Sequence, residues 1–313
     1  MRKNPSPSGT PAPASAAAGR TERRPAASHV VGEIFGFDAF SPSEVAARIE
    51  SVGVTKARLP LYQMFMLAVL AGGFIGLGSC AFLLVASDPA LSFAVARLLG
   101  GLVFSLGLIM VVVAGAELFT GNNLLAMAWA EGRVRTGEVV RNWSVVCLGN
   151  LAGAAGLAML VLLAGTMTLE GGMLAKRAVA VAAAKAALPW DVAFFRGLLC
   201  NVLVCLAIWM ATAGRSVVDK AVAIVPPITA FVALGFEHSI ANMFFFPLAI
   251  GLVAGDPALA ALPGADRIDI IAMANNLAPV ISGNLVGGSV LVALVYWVVY
   301  RPRKVERADK PGG

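Results

Sequence analysis

The sequence predicts an all-α membrane protein with six transmembrane helices, built as two inverted halves of three spans each and containing two broken helices. Three observations predict it. The 313 residues are 58% hydrophobic and 13% charged, with a mean hydropathy of +0.82, whereas ordinary globular chains are about 25% charged. Two over-long apolar stretches are each interrupted by the same polar pattern, G-x-E-x-x-x-x-N, at Gly115–Asn122 and again at Gly235–Asn242. Each copy is followed by N-x6-G-N-L-x-G, first from Asn142 to Gly153 and then from Asn276 to Gly287. Two echoes in the same order indicate a duplicated unit.

The elements follow in order. Residues 1–40, rich in Pro, Ala and Ser over their first part, read as a disordered cytoplasmic tail. Arg23-Arg24 has no apolar segment behind it, which excludes a cleaved twin-arginine signal. Residues 41–59 read as an amphipathic cytoplasmic helix, opened by Ser41-Pro42-Ser43-Glu44 and closed by Pro60.

The region 60–300 then supplies the spans, each needing about 20 apolar residues. Tyr62–Ala86, Val139–Gly165, Pro189–Ala213 and Asn275–Tyr300 fit as single crossings. Val95–Ala130 and Ala221–Ala254 are too long for one straight helix and too short for two with a loop, and these carry the polar motifs. Gly115 and Gly121 let the chain leave helical geometry in the first of them. Residues 301–313 form a second cytoplasmic tail.

If each interrupted stretch crosses once, both termini lie on one side. The segments on that side hold twelve Lys and Arg against six opposite, including Lys185, which places the termini in the cytoplasm. Three spans per half then forces the halves to be inverted. Freed backbone groups at two breaks of opposite direction are tolerated only beside a protein cavity. The polar side chains expected there are Thr120, Asn122, Asn201, His238, Asn242 and Asn284, richer in neutral donors and acceptors than in fixed charge. Such an inventory suits a small polar solute or a weak-acid anion.

Other classes are disfavoured. Basic residues cluster at span ends and form no nucleic-acid patch. Cys80, Cys147, Cys200 and Cys205 sit in apolar runs without a Cys-x-x-Cys pair, so no metal or redox site is expected, and no cofactor. An enzyme would need a nucleophile with its base or a carboxylate cluster. A water or glycerol pore would be expected to carry Asn-Pro-Ala, which is absent, and an ammonium channel would want paired pore histidines where only His238 lies in the membrane.

Ala116-Glu117-Leu118-Phe119-Thr120-Gly121-Asn122, Gly235-Phe236-Glu237-His238-Ser239-Ile240-Ala241-Asn242-Met243 and Gly283-Asn284-Leu285-Val286-Gly287-Gly288 closely resemble signatures of the formate/nitrite transporter family. Leu203–Met210 is similar to that family's fourth span, and the likeness runs from about Phe40 to Tyr300. The resemblance implies an aquaporin-like protomer with its own pore, assembled as a homopentamer in a bacterial inner membrane. It implies apolar constrictions at Leu118, Phe119 and Phe231, a central site bracketed by Thr120 and His238, and pore-lining positions at Asn201, Val204 and Asn284. Lys185 matches a basic residue kept at the outer vestibule. Phe236 and Pro247 favour formate over nitrite, with hydrosulfide a further alternative.

The expected chemistry follows. Lys185 would concentrate anions at the outer mouth. Leu118 and Phe231 would strip their water. His238 would attract the anion and could pass it a proton, because a neutral acid crosses an apolar ring far more cheaply than a carboxylate. Glu117 and Glu237, with Asn122 and Asn242, would anchor the broken segments.

Overall fold

Every regular element of the described residues, 39–300 in this computed structural model, is helical. Of the expected tails at 1–40 and 301–313, residues 1–38 and 301–313 lie outside them. Helix α1, Pro42–Ala57, opens on a reciprocal capping box between Ser41 and Glu44. Its buried face, Val45, Ala46, Ile49, Gly53 and Ala57, rests on residues 124–128 and Trp209. Pro60 then caps α2, Leu61–Ala86.

Helix α3, Phe93–Ala114, ends at Gly115 with φ 79°, a left-handed stop that a Cβ would strain. After an extended turn through Leu118 come two short helices, α4 at Phe119–Asn122 and α5 at Leu125–Ala130. Helix α6 runs Thr136–Leu163. Helix α7, Leu169–Ala186, lies where the sequence reading placed no element. Its first turn holds Glu170, Gly171 and Gly172 at positive φ, so regular helix begins only after them.

Helix α8, Trp190–Ala213, is capped by Pro189 as α2 is by Pro60. Helix α9, Val217–Ala233, ends before Gly235 (φ 75°), and α10, Ser239–Gly255, resumes after the second break. A short α11, Pro257–Ala260, leads to α12, Ile270–Leu285, which continues through a wide π-helical segment, Val286–Leu294, into α13, Val295–Tyr300.

Among the described residues, five helical runs are long and apolar enough to cross a membrane: α2, α3, α6, α8 and Ile270–Tyr300. The remaining crossing expected from sequence is divided between α9 and α10, of 17 residues each.

The glycines of the duplicated echo set helix spacing. A Cβ on Gly149 or Gly153 of α6 would strike Phe65, Ala68 and Val69 of α2. One on Gly283 or Gly287 of α12 region would strike Phe194 and Leu198 of α8. Small residues thus let two helix pairs approach backbone to backbone, where dispersion contacts replace the hydrophobic drive that lipid does not supply.

Candidate functional site

At each break an asparagine from another helix takes the place of the lost helical bonds. Asn150 of α6 accepts the Phe119 N–H at 2.9 Å and donates to the Glu117 carbonyl at 2.9 Å and the Ala68 carbonyl at 2.7 Å. Asn284 does the same at the second break, accepting from Ser239 N–H at 3.0 Å and donating to the Glu237 and Gly197 carbonyls at 3.0 and 2.7 Å. Each backbone group left unpaired in hydrocarbon would cost several kcal/mol. Both asparagines are fully buried.

The glutamate side chains are anchored just as symmetrically. Glu117 Oε1 is 2.8 Å from Lys56 Nζ, and its Oε2 accepts from Asn122 Nδ2 at 2.7 Å. Glu237 receives Lys185 Nζ at 2.9 Å on both oxygens and Asn242 Nδ2 at 2.7 Å on Oε2. Asn122 and Asn242 donate onward to Asn142 and Asn276, whose own amides donate to the carbonyls of Lys56 and Lys185. The first asparagine of the echo therefore ties the lysine-bearing helix to the break, and the second holds the break open.

Lys56 was not singled out from sequence, although the signal is there. Val45-Ala46-Ala47-Arg48 through Lys56-Ala57-Arg58-Leu59-Pro60 recurs as Leu174-Ala175-Lys176-Arg177 through Lys185-Ala186-Ala187-Leu188-Pro189. The buried positions repeat in register, with Val45, Ala46, Ile49 and Gly53 answered by Leu174, Ala175, Ala178 and Ala182. Helices α1 and α7 are equivalent elements of the two halves.

Two cavities flank the centre. One of 250 Å³ is walled by Ile49, Val52, Lys56, Glu117 and Leu118. The other, of 390 Å³, is walled by Lys185, Glu237, Phe104, Phe231 and His238. Between them, the N-terminal ends of the half-helices meet where His238 Nε2 lies 3.1 Å from Thr120 Oγ1. His238 is also the N-cap of α10, its Nδ1 accepting the Ala241 N–H at 3.2 Å. The proton of the neutral ring therefore sits on Nε2 and points at Thr120. Phe231 stacks on the imidazole at a centroid distance of 5.8 Å, and Phe104, absent from the sequence-derived set, meets both rings edge-on.

The other expected site residues are distributed differently. Leu118, Phe119 and Phe231 are all buried around the centre, with Leu118 facing the Lys56 cavity and Phe231 the Lys185 cavity. Asn201, Val204 and Asn284 line neither cavity. Asn201 Nδ2 faces the Asn284 carbonyl at 2.6 Å and Asn123 Oδ1 at 2.7 Å, cross-linking α4, α8 and α12, while its buried Oδ1 has no partner among the described residues. Lys185 lines its cavity, but as the partner of Glu237 and not as an isolated charge.

Two broken segments meeting end to end between paired cavities define a helical membrane pore protein of duplicated, inverted design. The sequence profile described as "Formate/nitrite transporter" matches residues 43–298, and the chain belongs to that family. It is 39% identical over 276 residues to the formate channel FocA of Escherichia coli K12, covering 84% of this chain and 95% of that one. It is 35% identical over 277 residues to a probable formate transporter of Methanothermobacter thermautotrophicus, covering 83% and 97%. A solved pentameric formate channel with formate bound is 41% identical and superposes with a TM-score of 0.72 over 77% of this chain and 97% of that chain.

Proposed function

We propose that the protein carries small monovalent anions, chiefly formate, across a bacterial inner membrane. In this reading it is a homopentamer of six-span protomers, each with its own pore and both termini in the cytoplasm. The Lys56 cavity is then the inner vestibule and the Lys185 cavity the outer one. The kinship with named formate channels supports the substrate class.

The observation that carries the reading is an apolar barrier with one imidazole–hydroxyl pair inside it. Phe104 and Phe231 pack on the His238 ring, Leu118 lines the Lys56 cavity two residues before Thr120, and His238 and Thr120 supply the polar atoms between them. An anion entering from either vestibule must shed water at these side chains, which disfavours strongly hydrated or bulky ions. The Nε2–H of His238 and the hydroxyl of Thr120 are two donors for one small anion. The N-terminal end of α10, whose dipole favours negative charge, lies behind them.

Proton transfer by His238 involves a further step. Giving up the Nε2 proton while Nδ1 still accepts from Ala241 would leave an imidazolate. A relay therefore requires Nδ1 to release the Ala241 amide and take up a proton from water in the adjoining cavity as Nε2 gives its own to formate, which leaves the ring neutral. Formate then crosses as the neutral acid, the cheaper species in an apolar ring. Uptake of formate, nitrite, hydrosulfide and lactate into proteoliposomes tests the assignment, with formate expected fastest and lactate slowest. Equal rates for all four, or none, would overturn it.

A further inference from the structure

The two halves share a scaffold, yet the cavities beside their breaks differ in charge. The charged side chains lining the Lys56 cavity are Lys56 and Glu117, which offset one another. The Lys185 cavity has the equivalent pair and three arginines besides, Arg97, Arg177 and Arg196. Four cations against one carboxylate leave a net charge of +3. The carboxylate, Glu237, already has both oxygens on Lys185 and one on Asn242.

None of the three arginines has a carboxylate within salt-bridge distance among the described residues, where the four ion pairs are Lys56–Glu117, Arg58–Glu138, Arg133–Glu50 and Lys185–Glu237. Arg97 is pinned by the carbonyls of Val232 and Ala233 at the end of α9, which holds its guanidinium on the cavity wall. It lies in electrostatic reach of Arg177, Arg196 and Glu237. The Nε of Arg177 is buried without a hydrogen-bond partner. Arg177, on the wall of this cationic recess, has no hydrogen-bond acceptor among the described residues, which leaves its guanidinium for an oxyanion.

The duplication supplies an internal control. The position equivalent to Arg196 is Leu67 in the first half, that equivalent to Arg97 is Val217 in the second, and the equivalent of Arg177 is Arg48, whose guanidinium sits 3.4 Å over the Phe40 ring and lines an adjoining recess with Glu44, Arg215 and Lys220. The three-arginine arrangement of the Lys185 cavity is therefore not repeated in the lining of the Lys56 cavity.

We propose that the Lys185 cavity binds a divalent oxyanion, such as sulfate, hydrogen phosphate or a short dicarboxylate, against Arg97, Arg177 and Arg196, and that the bound dianion obstructs entry of monovalent substrate from this side. A monovalent anion leaves most of the excess charge uncompensated, whereas a dianion offsets two of the three. The same dianion does not traverse the pore. One proton still leaves it charged, and the Leu118–Phe104–Phe231 barrier excludes a charged, strongly hydrated ion. Obstruction rests on the reading of this cavity as a pore mouth; binding does not.

The test uses the full chain in lipid nanodiscs, with radiolabelled sulfate as probe at low ionic strength and sodium chloride of equal ionic strength as control. Saturable binding of about one sulfate per protomer is expected, weakened about ten-fold or more in Arg177→Gln/Arg196→Gln. In proteoliposomes, sulfate on the Lys185 side should slow formate flux in the wild type. In the variant it should do so much less, each protein being compared with its own sulfate-free rate. Sulfate binding no stronger than the chloride control, or binding unchanged in the variant, overturns the proposal. If the double variant fails to assemble, Arg196→Gln alone, at an exposed side chain, is expected to weaken binding about three-fold, and no change there overturns it equally. Sulfate binding without any formate flux would uphold this site and remove the proposed transport function; formate flux without sulfate binding would do the reverse.

Discussion

His238 Nε2 and Thr120 Oγ1 stand 3.1 Å apart, joining residues from the two halves of the duplication at the point where their broken segments meet. The imidazole is committed at both nitrogens, since Nδ1 caps α10 through the Ala241 amide. The residue expected to interact with the anion is thus also part of the helix end that faces it.

His238→Asn separates those two roles. Asparagine is a good N-cap, so α10 should keep its start, whereas alanine would forfeit about 1 kcal/mol. The imidazole that could carry a proton is lost. Proton uptake accompanying a formate pulse into proteoliposomes should disappear in this variant while a residual anion leak remains. Internal pH recorded at matched formate flux checks this, and equal proton uptake per formate in both proteins would retire the relay.

Leu118→Ala combined with Phe231→Ala should admit larger carboxylates. Both side chains are buried at the barrier, one facing each cavity. We expect the lactate-to-formate flux ratio to rise about ten-fold or more as the ring widens. Truncating a buried phenylalanine also costs about 3 kcal/mol, so fluxes must be scaled to correctly assembled protein. An unchanged ratio would place the filter elsewhere.

Lys56→Met should destabilise the protein through Glu117, whose side chain is only 4% exposed. Breaking a buried pair by removing one partner typically costs about 3–5 kcal/mol. The 27% exposure of the lysine side chain lowers the expectation to about 2–3 kcal/mol. Adding Glu117→Gln should recover most of the loss, because an amide needs no counter-charge. Thermal unfolding of the two single variants and the double variant in detergent measures the coupling; strict additivity would exclude it.

Gly115→Ala and Gly153→Ala should differ in severity. Gly115 has φ 79° and open space around a notional Cβ, so alanine should cost about 1–2 kcal/mol in backbone strain alone. At Gly153 the new methyl would meet the Val69 backbone, forcing α2 and α6 apart. The same thermal assay should rank Gly153→Ala as clearly the worse, with loss of assembled protein as the extreme outcome. Equal melting temperatures would contradict the helix spacing described above.

Much of this molecule was written in its sequence, because membrane insertion restricts the possibilities. Long apolar runs can only be helices there, and the carboxylates Glu117 and Glu237 inside such runs mark places where the helix stops. The recurrence of G-x-E-x-x-x-x-N and N-x6-G-N-L-x-G gave the duplication, and an odd number of spans per half gave its inversion. The sequence did not announce α7, because its alanine-rich face is neither long nor apolar enough to read as a span and its start is blurred by Glu170, Gly171 and Gly172.

Tertiary structure decided the partners. Lys56 and Glu117 are 61 residues apart and Asn150 and Phe119 are 31 apart, and no local pattern specifies which asparagine will fill which gap. Asn201 and Asn284 have the composition of pore donors, but packing turns them inward to hold backbone, while Phe104 comes to the imidazole only because α3 and α9 lie side by side. The reason is physical. A polar side chain in a low-dielectric interior is fixed by whichever unpaired group lies within about 3 Å of it, and that distance exists only after the helices have packed.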